Sequence, residues 1–196
     1  MKTRLALASL LLTTCAISSA QTFDWENLSL GSFSSVVQTV GGITATGTGV
    51  GANVQVLDMT FAFAGFGTRS IYGDGGAGGN RVPLRVDFSA VLSQVRVEFG
   101  DGGNDDDGTV TITAFNSSDV QVDQESFAFG FNTGIESLTL DAPDISYIVG
   151  GTNGSIVNSV AFDNMSVTPV PEPASIIAIG AGLAALAASR RRNSAA

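Results

Sequence analysis

Short stretches in which apolar and polar residues alternate dominate residues 21–169. Val95, Val97 and Phe99 alternate with charged neighbours, and residues 109–115 alternate threonine with apolar side chains. This period of two predicts half-buried β-strands. The further predicted strands are Asn53–Phe63, Val82–Phe88, Val120–Phe129, Ile135–Leu140, Ile145–Val149, Ser155–Phe162 and Met165–Thr168.

The segments between these strands are rich in Gly, Asn, Asp and Ser, as in GDGGNDDDG, NSSD, FGFNTG, DAPD and GGTNG. Such segments are typical of turns, and no part of residues 21–169 has a sustained helical period. The pattern therefore predicts an all-β domain, an antiparallel β-sandwich with jelly-roll-like connections. A single closed barrel is the alternative. The glycine-rich stretch Gly65–Arg81 predicts a surface loop.

The first residues have the features of a secretory signal peptide. Lys2 and Arg4 precede a short apolar run, and small residues lead up to Ala20. We predict that signal peptidase removes residues 1–20 and leaves Gln21 as the mature N-terminus. Lipidation of Cys15 is the alternative. Cleavage after Ala20 would leave the mature protein without a thiol or a disulfide.

Residues 170–196 have the features of a membrane anchor with a preceding connector. The uncharged apolar run 174–189 predicts a transmembrane helix of about 24 Å, which can span if flanking residues adapt. Arg190, Arg191 and Arg192 predict a cytoplasmic tail. Pro171, Glu172 and Pro173 predict an exposed, extended connector before the helix.

Pro-Glu-Pro, an apolar run and an arginine cluster, in this order, resemble the PEP-CTERM sorting signal of Gram-negative bacteria. The resemblance implies recognition of Pro171, Glu172 and Pro173 by an exosortase, a membrane cysteine protease that removes the anchor. It also implies transient insertion in the inner membrane and delivery to the cell surface or the medium, commonly in organisms that make exopolysaccharide. A proline linker before a permanent anchor is the alternative.

Charge and composition narrow the function classes. Residues 21–169 contain 17 acidic and four basic residues, a net charge of -13, which disfavours nucleic acid as a partner. The chain has no histidine, which excludes His-dependent hydrolysis and imidazole-bound zinc. No acidic pair stands out as a glycosidase pair, and no Gly-x-Ser-x-Gly motif occurs, so we expect a protein without catalytic activity.

Three phrases of the domain resemble exported bacterial jelly rolls of the carbohydrate-binding-module type: FDWENLSLGS at 23–32, residues 95–120, and VAFDNMSV at 160–167. The resemblance implies that the first and last strands run side by side. It also implies that Glu26 and Asp163 share a structural calcium ion. Ordinary edge carboxylates are the alternative.

A second candidate calcium site lies in the turn GDGGNDDDG, through Asp101, Asp105 and Asp107, because crowded carboxylates suit a hard cation. An acidic, solvated hairpin turn is the alternative. Tyr72, in the glycine-rich stretch, is the candidate for stacking on a sugar, and Trp25 and Tyr147 are expected in the core. We expect a surface or matrix protein associated with exopolysaccharide, with a glycan-binding, lectin-like module as the alternative. A polysaccharide hydrolase would require a carboxylate pair in a cleft.

Overall fold

A computed structural model of the chain describes residues 19–59, 66–75, 81–101, 108–128, 134–153, 160–171 and 180–182. The side chains of Arg81, Asp101 and Asn153 lie outside this description. Ser19–Val170 form one compact unit. The strands within these ranges are β1 (Gln21–Phe23), β2 (Gly31–Phe33), β3 (Val36–Val40), β4 (Ile43–Gly49), β5 (Asn53–Asp58), β6 (Arg69–Asp74), β7 (Arg81–Val82), β8 (Leu84–Asp101), β9 (Thr109–Phe115), β10 (Gln121–Ala128), β11 (Ile135–Asn153) and β12 (Val160–Pro169).

The described strands pair only in antiparallel fashion and form an open, sandwich-like arrangement. This confirms the prediction of an all-β antiparallel fold. Two long strands, β8 and β11, pair with each other along most of their length, and the neighbours on their other sides change from one half to the next. The first half of β8 pairs with β4, and its second half pairs with β12. The jelly-roll connections remain a prediction.

The predicted turn DAPD is wrong, because β11 continues through it. The pairing of β11 with β8 shifts register between Asp141 and Ile145, around Pro143. Proline has no N–H to donate to the ladder and therefore interrupts the pairing locally. Ala142 and Ile145 are nevertheless buried, and this packing carries the strand onward.

The predicted surface loop Gly65–Arg81 is also wrong in part. Residues 69–74 form β6, which pairs along its whole length with β5. Glycine content argued for a loop, but Ser70, Ile71 and Tyr72 are buried, and this burial favours a strand.

The core lies between the two layers and is built from the inward positions of the alternating strands. In β9 the apolar residues Val110, Ile112 and Ala114 are buried, whereas the threonines between them are half-buried. Trp25 is fully buried and stacks on Phe23 with ring centroids 6.1 Å apart. Trp25 therefore lies in the core, as predicted.

Candidate functional site

The first and last strands of the domain lie side by side and bring two distant acidic residues together. β1 pairs with β12 in antiparallel register, with Phe23 opposite Met165. Glu26 follows β1, and Asp163 lies within β12. Trp25 and Asn164, their immediate neighbours, both have positive φ values, of 57° and 42°. Asparagine adopts this conformation readily, but it is unfavourable for tryptophan, so the surrounding packing must hold the backbone at Trp25.

Glu26 accepts hydrogen bonds from the segment that precedes β6. The backbone N–H of Thr68 donates to Oε1 at 2.5 Å, and the N–H of Arg69 donates to the same oxygen at 3.2 Å. The hydroxyl group of Thr68 donates to Oε2. Burial alone would raise the pKa of Glu26, but these hydrogen bonds favour the charged form and lower its pKa below the ordinary value. Glu26 is therefore a fixed carboxylate.

Asp163 is fully buried, and neither of its carboxylate oxygens has a hydrogen-bond partner. Burial, together with the nearby carboxylates of Glu26 and Asp24, raises its pKa from 3.8 to about 8. The nearby N–H of Asn164 opposes this rise without forming a well-aligned hydrogen bond. An unpartnered acid in this setting must either hold a proton or face a cation.

A buried hydroxyl group lies across from Asp163. Ile71 of β6 is the Cα partner of Phe162 in an antiparallel pairing, so Ser70 lies opposite Asp163. Ser70 is fully buried, and its Oγ also has no hydrogen-bond partner. Sequence reasoning missed Ser70, because nothing in its local sequence distinguishes it from other serines.

Gly67 lies against the carboxylates of both Glu26 and Asp163. A Cβ atom built on this glycine would lie 3.1 Å from Oδ2 of Asp163 and would clash with Oε1 of Glu26. The φ of Gly67 is +71°, a conformation that other residues rarely adopt. Glycine is therefore needed at this position, because Oε1 of Glu26 occupies the place that a Cβ atom would take.

Glu26, Asp163 and Ser70 offer oxygen atoms, which are the donor atoms that a hard cation prefers. Carboxylate and hydroxyl oxygens are the ligands that calcium prefers. In the ranges that the structure describes, no group of three or more acidic side chains is placed to hold a metal. The described residues that could contribute oxygen atoms to a cation here are Glu26, Asp163 and Ser70.

The second predicted calcium site falls outside the description. The backbone of Asp101 ends β8, but its side chain is not described. Asp105 and Asp107 lie between 102 and 107, also outside the described residues.

Tyr72, the predicted stacking residue, lies in β6 and is only 4% exposed. Its hydroxyl donates to Oε1 of Gln55 at 2.7 Å. The ring lines a small cavity of about 30 Å³ with Gly73, Pro83 and Phe162. A cavity of this size is far smaller than the roughly 300–1,000 Å³ of ligand pockets and cannot hold a sugar ring.

A row of side chains that sequence reasoning missed crosses β8, β11 and β9. Tyr147 and Phe115 are Cα partners, and their rings stack at 4.8 Å with an angle of 9°. The guanidinium of Arg85 lies 3.7 Å from the centroid of the Tyr147 ring and donates to both oxygens of Asp87, at 2.9 Å and 2.6 Å. The hydroxyl of Tyr147 donates to Asp119 at 3.0 Å. Burial raises the pKa of Tyr147, and the hydrogen bond with Asp87 raises that of Arg85.

The predicted processing residues are described only in part. Ala20 and Gln21 stand at the start of β1, and Pro171 follows the end of β12 and is exposed. Glu172, Pro173 and Arg190, Arg191 and Arg192 lie outside the described residues, as do residues 1–18. Of the predicted helix 174–189, the structure describes only residues 180–182, which are helical. Among the described residues no helix is long and apolar enough to cross a membrane.

Comparison with solved structures finds distant resemblances. A DUF4465 family protein from Bacteroides caccae has 11% identity and a TM-score of 0.49, with 78% of this chain and 100% of that chain covered. The K1 cleaved adhesin domain of Lys-gingipain from Porphyromonas gingivalis has 10% identity and a TM-score of 0.47, with 78% and 99% covered. A family 29 carbohydrate binding module has 12% identity and a TM-score of 0.32, with 76% and 88% covered. No residue role follows from such distant similarity.

A search of curated proteins finds no match to this chain. Residues 169–192, however, match the family model of the PEP-CTERM protein-sorting motif. This match confirms the resemblance predicted for residues 170–192, and a motif of this kind marks an exported protein that an exosortase sorts. The chain therefore carries a PEP-CTERM protein-sorting motif at residues 169–192.

Proposed function

We propose that this protein is a non-catalytic structural or interaction protein of the cell surface, associated with exopolysaccharide after an exosortase has released it from the inner membrane. The observation that carries this proposal is the sorting motif at 169–192, which follows a β-sandwich domain. The acidic surface of residues 21–169 supports a hydrated, extracellular setting.

The test of this proposal is the location of the protein in its own host. We expect the released protein in the fraction that contains extracellular polysaccharide, and we expect it to become soluble when that polysaccharide is removed. A protein that stays in the membrane fraction, or one whose location does not depend on polysaccharide, would contradict the proposal.

A structural calcium ion is part of the proposal. Its support is the pair of unpartnered Asp163 oxygens beside the fixed carboxylate of Glu26, with the Ser70 hydroxyl across from them. A cation would offset the repulsion and the desolvation that raise the pKa of Asp163. It would also join the first and last segments of the domain, which the absence of disulfides in the mature chain leaves without a covalent link.

Trp25 makes the calcium test simple, because it is the only tryptophan of the chain and precedes Glu26 directly. We expect calcium to change its fluorescence in the released protein, and Glu26→Gln to abolish most of the change. Asp105→Asn is the matched control and should respond normally. A response lost in Asp105→Asn and kept in Glu26→Gln would place the ion in the acidic turn, and no response at all would contradict a calcium site at Glu26 and Asp163.

The row of Arg85, Tyr147 and Phe115 favours glycan binding as a second candidate function. It presents a half-exposed guanidinium, held by Asp87 and lying over an aromatic ring, on one face of the sheet. A guanidinium offers several N–H donors in a fixed plane, and such donors can bind the hydroxyl groups of a sugar. Tyr147 itself is buried between Phe115 and Arg85 and serves to position the guanidinium. Arg85→Ala should weaken retention on an immobilised host exopolysaccharide, with Arg96→Ala, which loses an exposed pair with Glu98, as its control. Equal retention of both variants and the parent would contradict this candidate.

A further inference from the structure

The sorting motif begins inside the folded domain, with no spacer before it. Pro169 is the first residue of the motif and the last residue of β12, where it pairs with Leu92 of β8. The next residue, Val170, donates its backbone N–H to the carbonyl of Val91 at 2.9 Å. The fold therefore holds the chain in place up to the residue before Pro171.

Two apolar side chains are exposed at this end of the domain. Val91 is 48% exposed and Val170 is 36% exposed, and the hydrogen bond between their backbones makes them neighbours. Leu92, next to Val91, is fully buried and ties this part of β8 to the core. Val91 and Val170 thus form a fixed surface, here called the apolar tip.

A protease that binds Pro-Glu-Pro must come close to the apolar tip. An extended chain covers about 3.5 Å per residue, so Glu172 lies at most about 7 Å from Val170 along the chain. A single helix of an enzyme is already about 10 Å wide. The wall of any active site that surrounds the motif must therefore lie against the end of the domain.

We propose that the apolar tip, Val91 and Val170, is a docking surface for the exosortase that recognises the motif. The inference rests on the proposed sorting by that enzyme. Because the tip is continuous with the recognised segment, its contact with the enzyme fixes where Pro171 enters the active site. Burial of the two valines contributes binding energy beyond that of the motif itself.

The test uses the full-length chain in its host and measures the rate at which the membrane-bound precursor becomes the released form. Val91→Thr keeps the shape of the side chain and its preference for strands while removing apolar surface. We expect release to slow about fivefold, as the loss of roughly half of a buried valine's contribution would cause. Val120→Thr is the matched control, because Val120 is 55% exposed and lies in the turn between β9 and β10.

Normal release of Val91→Thr, or equal slowing in Val120→Thr, would overturn the proposal. Insertion of Gly-Ser-Gly-Ser after Val170 provides a second measurement that leaves the domain intact. A docking surface predicts slower release, because the spacer separates the tip from the motif. Faster or unchanged release would overturn the proposal and would indicate that the folded end obstructs the enzyme or plays no part.

A third variant separates this inference from the proposed sorting. Replacement of Pro171–Pro173 by alanines should block release altogether if the motif is used. Normal release of that variant would refute sorting through the motif. Blocked release of that variant together with normal release of Val91→Thr would refute only the docking surface.

Discussion

Replacement of Asp163 by asparagine should stabilise the domain when no calcium is present. Asp163 is fully buried without a hydrogen-bond partner, and its pKa is raised from 3.8 to about 8. Between these values the folded protein holds a proton that the unfolded chain has lost. The contribution of Asp163 to the free energy of unfolding is therefore fully present below pH 4 and is lost as the pH rises from about 4 to about 8.

The size of the effect follows from the pKa difference. At pH 7 the raised pKa costs about 4 kcal/mol of stability in the absence of a cation, because each unit corresponds to about 1.4 kcal/mol. Asparagine has nearly the same shape and cannot be ionised, so the variant avoids this cost. For a domain of this size the gain corresponds to a rise in Tm of about 10 °C.

Calcium should reduce the difference in stability between the variant and the wild type. A ligand present at 100 times its dissociation constant stabilises the native state by about 2.7 kcal/mol, and Asp163→Asn lacks one of the two carboxylates that would bind it. We therefore expect the wild-type Tm to rise in calcium and to fall on chelation, and the variant to respond in neither case.

The assay is thermal unfolding of the released protein between pH 5 and pH 8, with chelator and with calcium. Glu125→Gln, at an exposed position of β10, is the control for loss of a negative charge and should behave as wild type. Two results would refute the reasoning: a variant that melts at or below the wild-type temperature in chelator, or a wild-type Tm in chelator that does not fall with rising pH.

Three further predictions concern the same site and the two ends of the chain. Gly67→Ala should be more destabilising than Gly51→Ala and should lose the calcium response, because both glycines have φ of +71° but only Gly67 faces the two carboxylates. Thermal unfolding compares them, and equal losses would show that only backbone strain matters, at about 1–2 kcal/mol. Replacement of Pro171–Pro173 by alanines should leave the chain in the inner membrane, because the apolar run remains. Cell fractionation tests this, and unchanged release would show that the segment is only a linker. The mature protein should begin at Gln21, and the intact mass of the released protein tests this. Retention of residues 1–20, or a diacylglycerol on Cys15, would contradict signal-peptidase cleavage.

Local patterns predicted many of the strands correctly but did not predict where β11 continues through a turn-like segment or that β6 lies in a glycine-rich one. Alternation over residues 95–99 and 109–115 reports which side chains face the core, and the structure buries those side chains. The segments around Pro143 and Tyr72 read as turn and loop, because proline and glycine have strong local preferences. The segment around Pro143 pairs with β8, and the segment around Tyr72 pairs with β5. These pairings override the local preferences, and neither segment's own sequence identifies its partner strand.

Some features of the candidate site could likewise be predicted from the sequence, and others could not. The resemblance implied that the first and last strands are neighbours, and the pairing of β1 with β12 confirms it. The contributions of Ser70 and Gly67 were not foreseeable, since both depend on where β6 and its preceding residues lie against β12. The raised pKa of Asp163 is likewise a property of burial, which no local pattern reports for a single acid in a strand.

The class of the fold and the sorting motif could be predicted from the sequence alone, because strand periodicity and Pro-Glu-Pro with its apolar run are contiguous features. The convergence of the Glu26 and Asp163 oxygens, the desolvation of Asp163 and the exposure of the two valines beside the motif are evident only in the folded chain. These depend on contacts between residues far apart in the chain: 137 positions separate Glu26 from Asp163, and 79 separate Val91 from Val170. Desolvation and exposure arise only once such contacts have formed, and for that reason the chemistry of this protein lies in its fold rather than in any one segment.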